Sequence, residues 1–330
     1  INKRSLHSQF QEYFGENVKD KLIFVPHHIS HISSSYFTSG FKDAVGLSID
    51  ATGDFSSMEI TEYKNDNINL IAKNLYPHSL GILYQAITQF LGFKNYGDEY
   101  KIMALAAYGT PKYKKEFSQL IKFIPPYNFE LNLEYFIHHK NFFFKDSNSS
   151  KPIFENLYSK KIEDLFGNER AYKDELEQHH YDIASSLQNK FEEIILKIVN
   201  NIYLENHSNN FCLSGGCFFN SVLNGKIYNS SNFDKVFFHA NVGDAGGSVG
   251  SSLYQFNKVM KNKKNIIQEN YFIGSSYNNQ QAQDVIKKNE KLLEDFNVKY
   301  DLDFDQVNKI VIDILYNSGL VAWFQDEMEW

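Results

Sequence analysis

Pro26-His27-His28-Ile29-Ser30-His31, taken with Ser48-Ile49-Asp50-Ala51-Thr52-Gly53-Asp54 downstream, carries the first chemical signal in the chain. With Pro26 at the first position of a helix, His27 and His31 fall one turn apart on the same face. Two imidazoles at i and i+4 can close on one metal ion; with no Glu between them, the metalloprotease pattern His-Glu-x-x-His is excluded. Further ligands must come from elsewhere, and Asp50 is the nearest candidate. It ends an apolar run, Ala44-Val45-Gly46-Leu47-Ser48-Ile49, that reads as a buried strand. Gly53 follows to turn the chain, an arrangement suited to a metal or phosphate contact. The plain alternative is three surface histidines and a turn aspartate.

The 330 residues allow two domains, or two similar halves around a cleft. Charged residues at 22% and hydrophobic ones at 42% are ordinary for a soluble globular protein. Lys plus Arg number 33 against 40 Asp plus Glu, so no excess of cations awaits nucleic-acid phosphates. No apolar stretch approaches the roughly 18 residues of a membrane span, and no secretory pattern is present. Cytoplasmic residence is the expectation. Cys212 and Cys217 are the only cysteines, and a reduced pair is expected over a disulfide. Ile1 and the strand-like Val321-Ala322-Trp323-Phe324-Gln325 suggest a piece of a larger enzyme.

Residues 1–21 read as one helix, and Leu22-Ile23-Phe24-Val25 as a short buried strand delivering Pro26. A strand over 44–50 and another over Met58–Tyr63, joined by Asp54-Phe55-Ser56-Ser57, with a third over Asn69–Leu75, predict a mixed sheet. Leu80, Leu83, Ile87 and Leu91 recur at helical spacing, with Ser79 as cap and Gly92 as stop. Asp98 and Glu99 open a small-residue helix that ends at Gly109, where acids complement the dipole. Residues 112–175 read as an insertion with loop at Asn148-Ser149-Ser150. A long helix over about Tyr181–Leu204 buries Ile183, Leu187, Phe191, Ile194, Ile198 and Ile202.

Two glycine-rich elements follow, each after its own strand. Asn210-Phe211-Cys212-Leu213-Ser214 runs into Gly215-Gly216, where the missing β-carbons let a nucleotide approach the backbone. Lys235-Val236-Phe237-Phe238-His239 leads to Asn241-Val242-Gly243-Asp244-Ala245-Gly246-Gly247, a turn opening a helix whose free amides suit a phosphate. Asp244 in that turn could contact a metal bound to the same phosphate. Tight strand–helix packing is the alternative reading.

In this order, HHISHISSSYF (27–37), LSIDATGDFSS (47–57), SLGILYQAITQFLGF (79–93), DEYKIMALAAYG (98–109), FCLSGGCFFN (211–220) and GDAGGSVGSSL (243–253) resemble the NodU/CmcH-type O-carbamoyltransferases. The resemblance implies an α/β fold of the actin-like ATPase duplication, ribonuclease H-like mixed sheets flanked by helices, truncated at both ends. It is related to the universal protein of tRNA threonylcarbamoyladenosine synthesis. It divides the chain into a first half at 1–110, an insertion at 111–180, a second half with the nucleotide site at 181–260, and at 261–330 a linker with the start of a YrdC-like domain. The implied reaction moves a carbamoyl group from carbamoyl phosphate, through an ATP-derived carbamoyladenylate, to a hydroxyl of a sugar-containing acceptor. His27, His31, Asp50 and Asp244 match the metal ligands, with iron implied and zinc or manganese equally suited to imidazole and carboxylate. Gly215, Gly216, Gly243 and Gly246, with Gly53, match nucleotide or phosphate contacts. His28 is a candidate for acid/base or ligand-orienting work.

Cys217, Phe218 and Phe219 depart from the smaller residues usual there in the family, which puts the adenine pocket's shape in question. A homodimer is compatible with this reading, whereas nucleic-acid and membrane partners are not expected. The alternatives are a sugar or acyl kinase of the same fold, a relative acting on tRNA, and a nucleotide-binding regulatory module without chemistry. The fragment alone is expected to be incomplete for the full reaction.

Overall fold

The computed structural model describes residues 6–15, 21–64, 67–140, 144–145, 153–260, 267 and 270–329. Contacts divide the chain into two units, Ile1–Ile267 and Gln268–Trp330. The first is built on a five-stranded mixed sheet. β1 (Ala44–Gly53), β2 (Ser56–Lys64) and β3 (Asn67–Leu75) form an antiparallel meander. β4 (Asn210–Ser214) and β5 (Lys235–Phe238) then run parallel to β1, giving the order β3-β2-β1-β4-β5. Strands from the first 110 residues and from 181–260 therefore share one sheet. Sequence spacing says nothing about a pairing across the 156 residues between β1 and β4, so only the pairing itself could reveal it.

Side-chain alternation along β1 sorts the two faces. Val45, Leu47 and Ile49 join the larger core, while Ala44 joins a smaller one with Ile32, Tyr36, Phe37, Tyr63 and Cys212. The smaller core lies beneath α1 (His27–Thr38), which approaches so closely that a Cβ on Gly46 would stand 2.2 Å from Ile32. The larger core is filled by α2 (Leu80–Phe90) and by α4 (Gln178–Leu204), with α3 (Glu99–Ala106) against α4. Leu80, Leu83, Ile87 and Leu91 are all fully buried, each contributing about 2 kcal/mol from area removed from water. Ser79 caps α2 by accepting the Ile82 N–H at 3.1 Å, and Gly92, at φ +88°, ends it. Ile183, Leu187, Phe191, Ile194, Ile198 and Ile202 are likewise buried, as the stripe on α4 requires.

After β4 come α5 (Ser221–Ser230) and, beyond β5, α6 (Asp244–Met260), which packs on α1. A Cβ on Gly250 would fall 1.7 Å from the Ser30 carbonyl oxygen, so the small residues of α6 serve close helix contact. The region at 112–175 is not simply loop. Its helix Lys114–Leu120 and hairpin Ile121–Ile124/Asn128–Leu131 place Phe117 and Phe129 in the larger core, where Phe136 and Phe166 join them. Asn148-Ser149-Ser150 lie outside the described residues. Cys212 and Cys217 are buried free thiols.

Three expectations change. The helix expected over 1–21 is Leu6–Phe14 among the described residues. Leu22–Val25 is not a buried strand: among the described residues no strand pairs with it, and Ile23 and Phe24 are exposed. In the second unit, Val321–Gln325 is irregular, and the strand is instead Glu327–Glu329, paired antiparallel with Phe272–Ser276. In both cases a short apolar run matched a strand template without a hydrogen-bonding partner. The second unit also carries helices Asn279–Lys288 and Phe304–Tyr316. No helix among the described residues is long and apolar enough to cross a membrane.

Candidate metal centre

Because β1, β4 and β5 run parallel, their carboxyl ends share one edge, where open α/β sheets commonly bind ligands. Asp50 sits there near the end of β1, Gly215-Gly216 follows β4, and Asp244 opens α6 after β5. The Gly215 N–H donates to the Val242 carbonyl at 2.7 Å, tying the second and third of these together. The first turn of α1 crosses the same edge. Pro26 stands just before the helix as its N-cap, one position earlier than expected, and His27 and His31 keep their shared face.

Four side chains meet at this edge. His31 Nε2 lies 3.1 Å from Asp50 Oδ2 and 3.3 Å from Asp244 Oδ1, and 3.0 Å from His27 Nε2. His27 Nε2 lies 3.6 and 3.7 Å from the same two carboxylate oxygens. One ligand atom from each residue falls within 4.8 Å of all the others. An imidazole N–H can point at one acceptor, whereas here two nitrogens and two carboxylate oxygens face a common point. That donor set fits a single divalent cation of the iron, zinc or manganese type.

Asp50 is fixed before any ion arrives. Its Oδ1 accepts the Ala51 N–H at 2.7 Å and its Oδ2 the Gly216 N–H at 3.2 Å. Burial alone would raise its carboxyl, but hydrogen bonds from His27 and His31 outweigh this and hold it well below the usual carboxylate range. Burial likewise works to lower His31, yet Asp244 and Asp50 together push its imidazole up to about 9. The site thus attracts positive charge, from a proton or from a metal ion competing for the same lone pair.

His28 does not face this point. It is 1% exposed, its Nδ1 lies 2.8 Å from Ser48 Oγ, and its Nε2 lies 3.2 Å from the Ser56 carbonyl. A carbonyl only accepts, so Nε2 carries the proton and Nδ1 takes the Ser48 hydroxyl's. Burial pulls its pKa down to about 4, outweighing the Ser56 carbonyl. His28 is thus a doubly bonded ring that ties α1 to β1 and β2, apart from the point where the other four side chains meet.

The glycines mark close approaches. A Cβ on Gly53 would stand 2.0 Å from the His27 ring, and one on Gly215, at φ +94°, 2.3 Å from the Ile49 carbonyl oxygen. Gly216 would meet Asp50, Gly243 the ring of Phe219, and Gly246 the Asn241 carbonyl. A cavity of about 300 Å³ opens beside these side chains, lined by Val25, His27, Ser30, His31, Asp54, Asp244 and Gly247. Sequence reasoning missed Asp54 and Ser30 as parts of this site. Asp54 Oδ2 accepts the His27 N–H at 2.8 Å from across the β1–β2 turn, and the only sequence hint was its place beside Gly53.

Residues 9–253 match the family described as Carbamoyltransferase N-terminus. An uncharacterized Synechocystis sp. protein, sll1178, is 31% identical over 316 residues, 93% of this chain and 48% of its own length. Nodulation protein NolNO of Sinorhizobium fredii is 27% identical, covering 76% of this chain and 33% of itself. Nodulation protein NolO of Bradyrhizobium diazoefficiens is 25% identical, covering 92% and 50%. The chain thus spans half or less of the length of these relatives. Among solved structures, full-length HypF in its phosphate- and nucleotide-bound form aligns over 79% of this chain and 46% of its own, at 14% identity and a TM-score of 0.40.

Proposed function

This chain belongs to the carbamoyltransferase family, and from that premise we propose that it is the part of an ATP-dependent O-carbamoyltransferase that holds a divalent ion beside the carbamoyl donor. The observation that carries the reading is the convergence of His27, His31, Asp50 and Asp244, drawn from three separate segments, on one point at the carboxyl edge of the sheet. Carbamoyl phosphate and ATP are the proposed donors, a carbamoyladenylate the proposed intermediate, and a hydroxyl of a sugar-containing metabolite the proposed acceptor. When bound, the ion supplies Lewis acidity toward a phosphoryl or carbamoyl oxygen. Iron is favoured by the family likeness.

The chain's own residues do the positioning. His27 and His31 present Nε2 atoms from one helix face, and Asp50 is aimed by two backbone N–H groups. Asp244 sits at the start of a 17-residue helix, whose positive end favours phosphate in the same place. In this proposal the nucleotide lies along the turns at Gly53, Gly215-Gly216 and Gly243–Gly246. A cytoplasmic location accords with carbamoyl phosphate and ATP as substrates.

The test is to incubate the intact, metal-replete protein with carbamoyl phosphate and ATP and to seek carbamoyladenylate by mass spectrometry. Its appearance, with loss of carbamoyl transfer to an acceptor hydroxyl in a His31→Ala variant, supports the reading. ATP turnover with phosphorylation of a sugar and no carbamoyl product points to a kinase instead.

A further inference from the structure

The turn between β1 and β2 does more than reverse the chain. Asp54 and Phe55 both take left-handed conformations, at φ +50° and +62°, so the tip is bent toward the start of α1. There Asp54 Oδ2 accepts the His27 N–H at 2.8 Å. The helix has no cap of its own, because Pro26 precedes it and offers no side-chain acceptor. Next to this contact, Gly53 leaves room for the His27 ring, which would meet any side chain there at 2.0 Å. Asp54 also lines the cavity beside the ligands. A hairpin 27 residues downstream thus supplies the cap of the helix that carries both imidazoles.

We propose that Asp54 is a positioning residue for the metal centre. By capping α1 from the hairpin tip, it locks the first turn so that His27 meets the point already defined by Asp50. Asp54 is not counted among the ligands; it acts through His27. The inference rests on the proposed metal site, and its own failure can be told apart from failure of that site.

Removal of the carboxylate should be free of backbone strain, so glycine, which tolerates positive φ, is the informative replacement. Asparagine keeps an acceptor oxygen and also tolerates this conformation, while losing the charge. The experiment is a Zn²⁺ titration of the metal-free full chain by calorimetry, with thermal melts of the metal-free proteins as a folding control. Zinc is the probe because it outranks iron and manganese in the general affinity order. Asp54→Gly should weaken Zn²⁺ binding about 10-fold or more, as loss of a ligand-orienting partner does. Asp54→Asn should stay within about threefold of the parent, because Asn and Asp cap helices comparably. Parent-like affinity in Asp54→Gly overturns the proposal while leaving the site itself standing. Equal weakening in both variants also overturns it, since charge rather than capping would then be responsible. Absence of Zn²⁺ binding by the parent overturns the metal site and this inference together.

Discussion

His31 and Asp244 reach the same point from opposite environments: the imidazole is 1% exposed and the carboxylate 72%. His31 and Asp50 form the inner half of the cluster, with Asp50 held by backbone N–H groups and His31 Nε2 facing the two carboxylates. Asp244, with the partly exposed His27, forms the outer half, set by a helix start facing solvent. Asp50 also bonds the backbone at Ala51 and Gly216, whereas Asp244 stands on a helix start facing solvent. Substitutions in the two halves should therefore separate stability from affinity.

The inner half gives the largest expected effect. Asp50→Ala leaves the Ala51 and Gly216 N–H groups without their acceptor and His31 without one of its two carboxylate partners, at a cost of about 2–4 kcal/mol. Thermal denaturation of the metal-free chain should record that loss, and a metal titration should show no site. Next is pH. In the metal-free chain the folded His31 titrates near 9 rather than its ordinary 6.5, so its stabilisation is complete below about pH 6.5 and disappears as pH rises through 9. The change is about 3 kcal/mol at most, and the Asp50 contribution, from a lowered carboxyl, is lost only in acid. Denaturant melts between pH 6 and 10 check the slope, and metal affinity should rise over the same interval as the ion displaces the proton. The outer half gives the smallest stability effect. Asp244→Asn should lower metal affinity about 10-fold or more yet, above about pH 9 where His31 is neutral, leave metal-free stability within about 0.5 kcal/mol. A large drop in its melting temperature would erase the distinction between the halves.

The same contrast explains what the sequence made legible. His27 and His31 could be paired because a helix repeats every 3.6 residues, and Asp50 stood out because it ends an apolar strand beside a glycine. α2 was readable end to end, since Ser79, four buried leucine and isoleucine positions and Gly92 all agree. The adjacency of β1 and β4 was not readable, because pairing between segments so far apart leaves no local periodicity. Leu22–Val25 and Val321–Gln325 misled for the complementary reason: their patterns fit strands, but strands exist only with partners. His28 could not be told from His27 and His31 by spacing alone, and only its bonds to Ser48 and Ser56 reveal a packing role. Asp54 acts across the hairpin on a helix that precedes it, a relation visible only in three dimensions.

The most direct measurement is the coordination shell of the bound ion, by anomalous diffraction at its absorption edge from crystals of the metal-loaded chain. The account predicts one ion within about 2.0–2.2 Å of His27 Nε2, His31 Nε2 and oxygens of Asp50 and Asp244. An ion held elsewhere, or a shell containing neither imidazole, would contradict it.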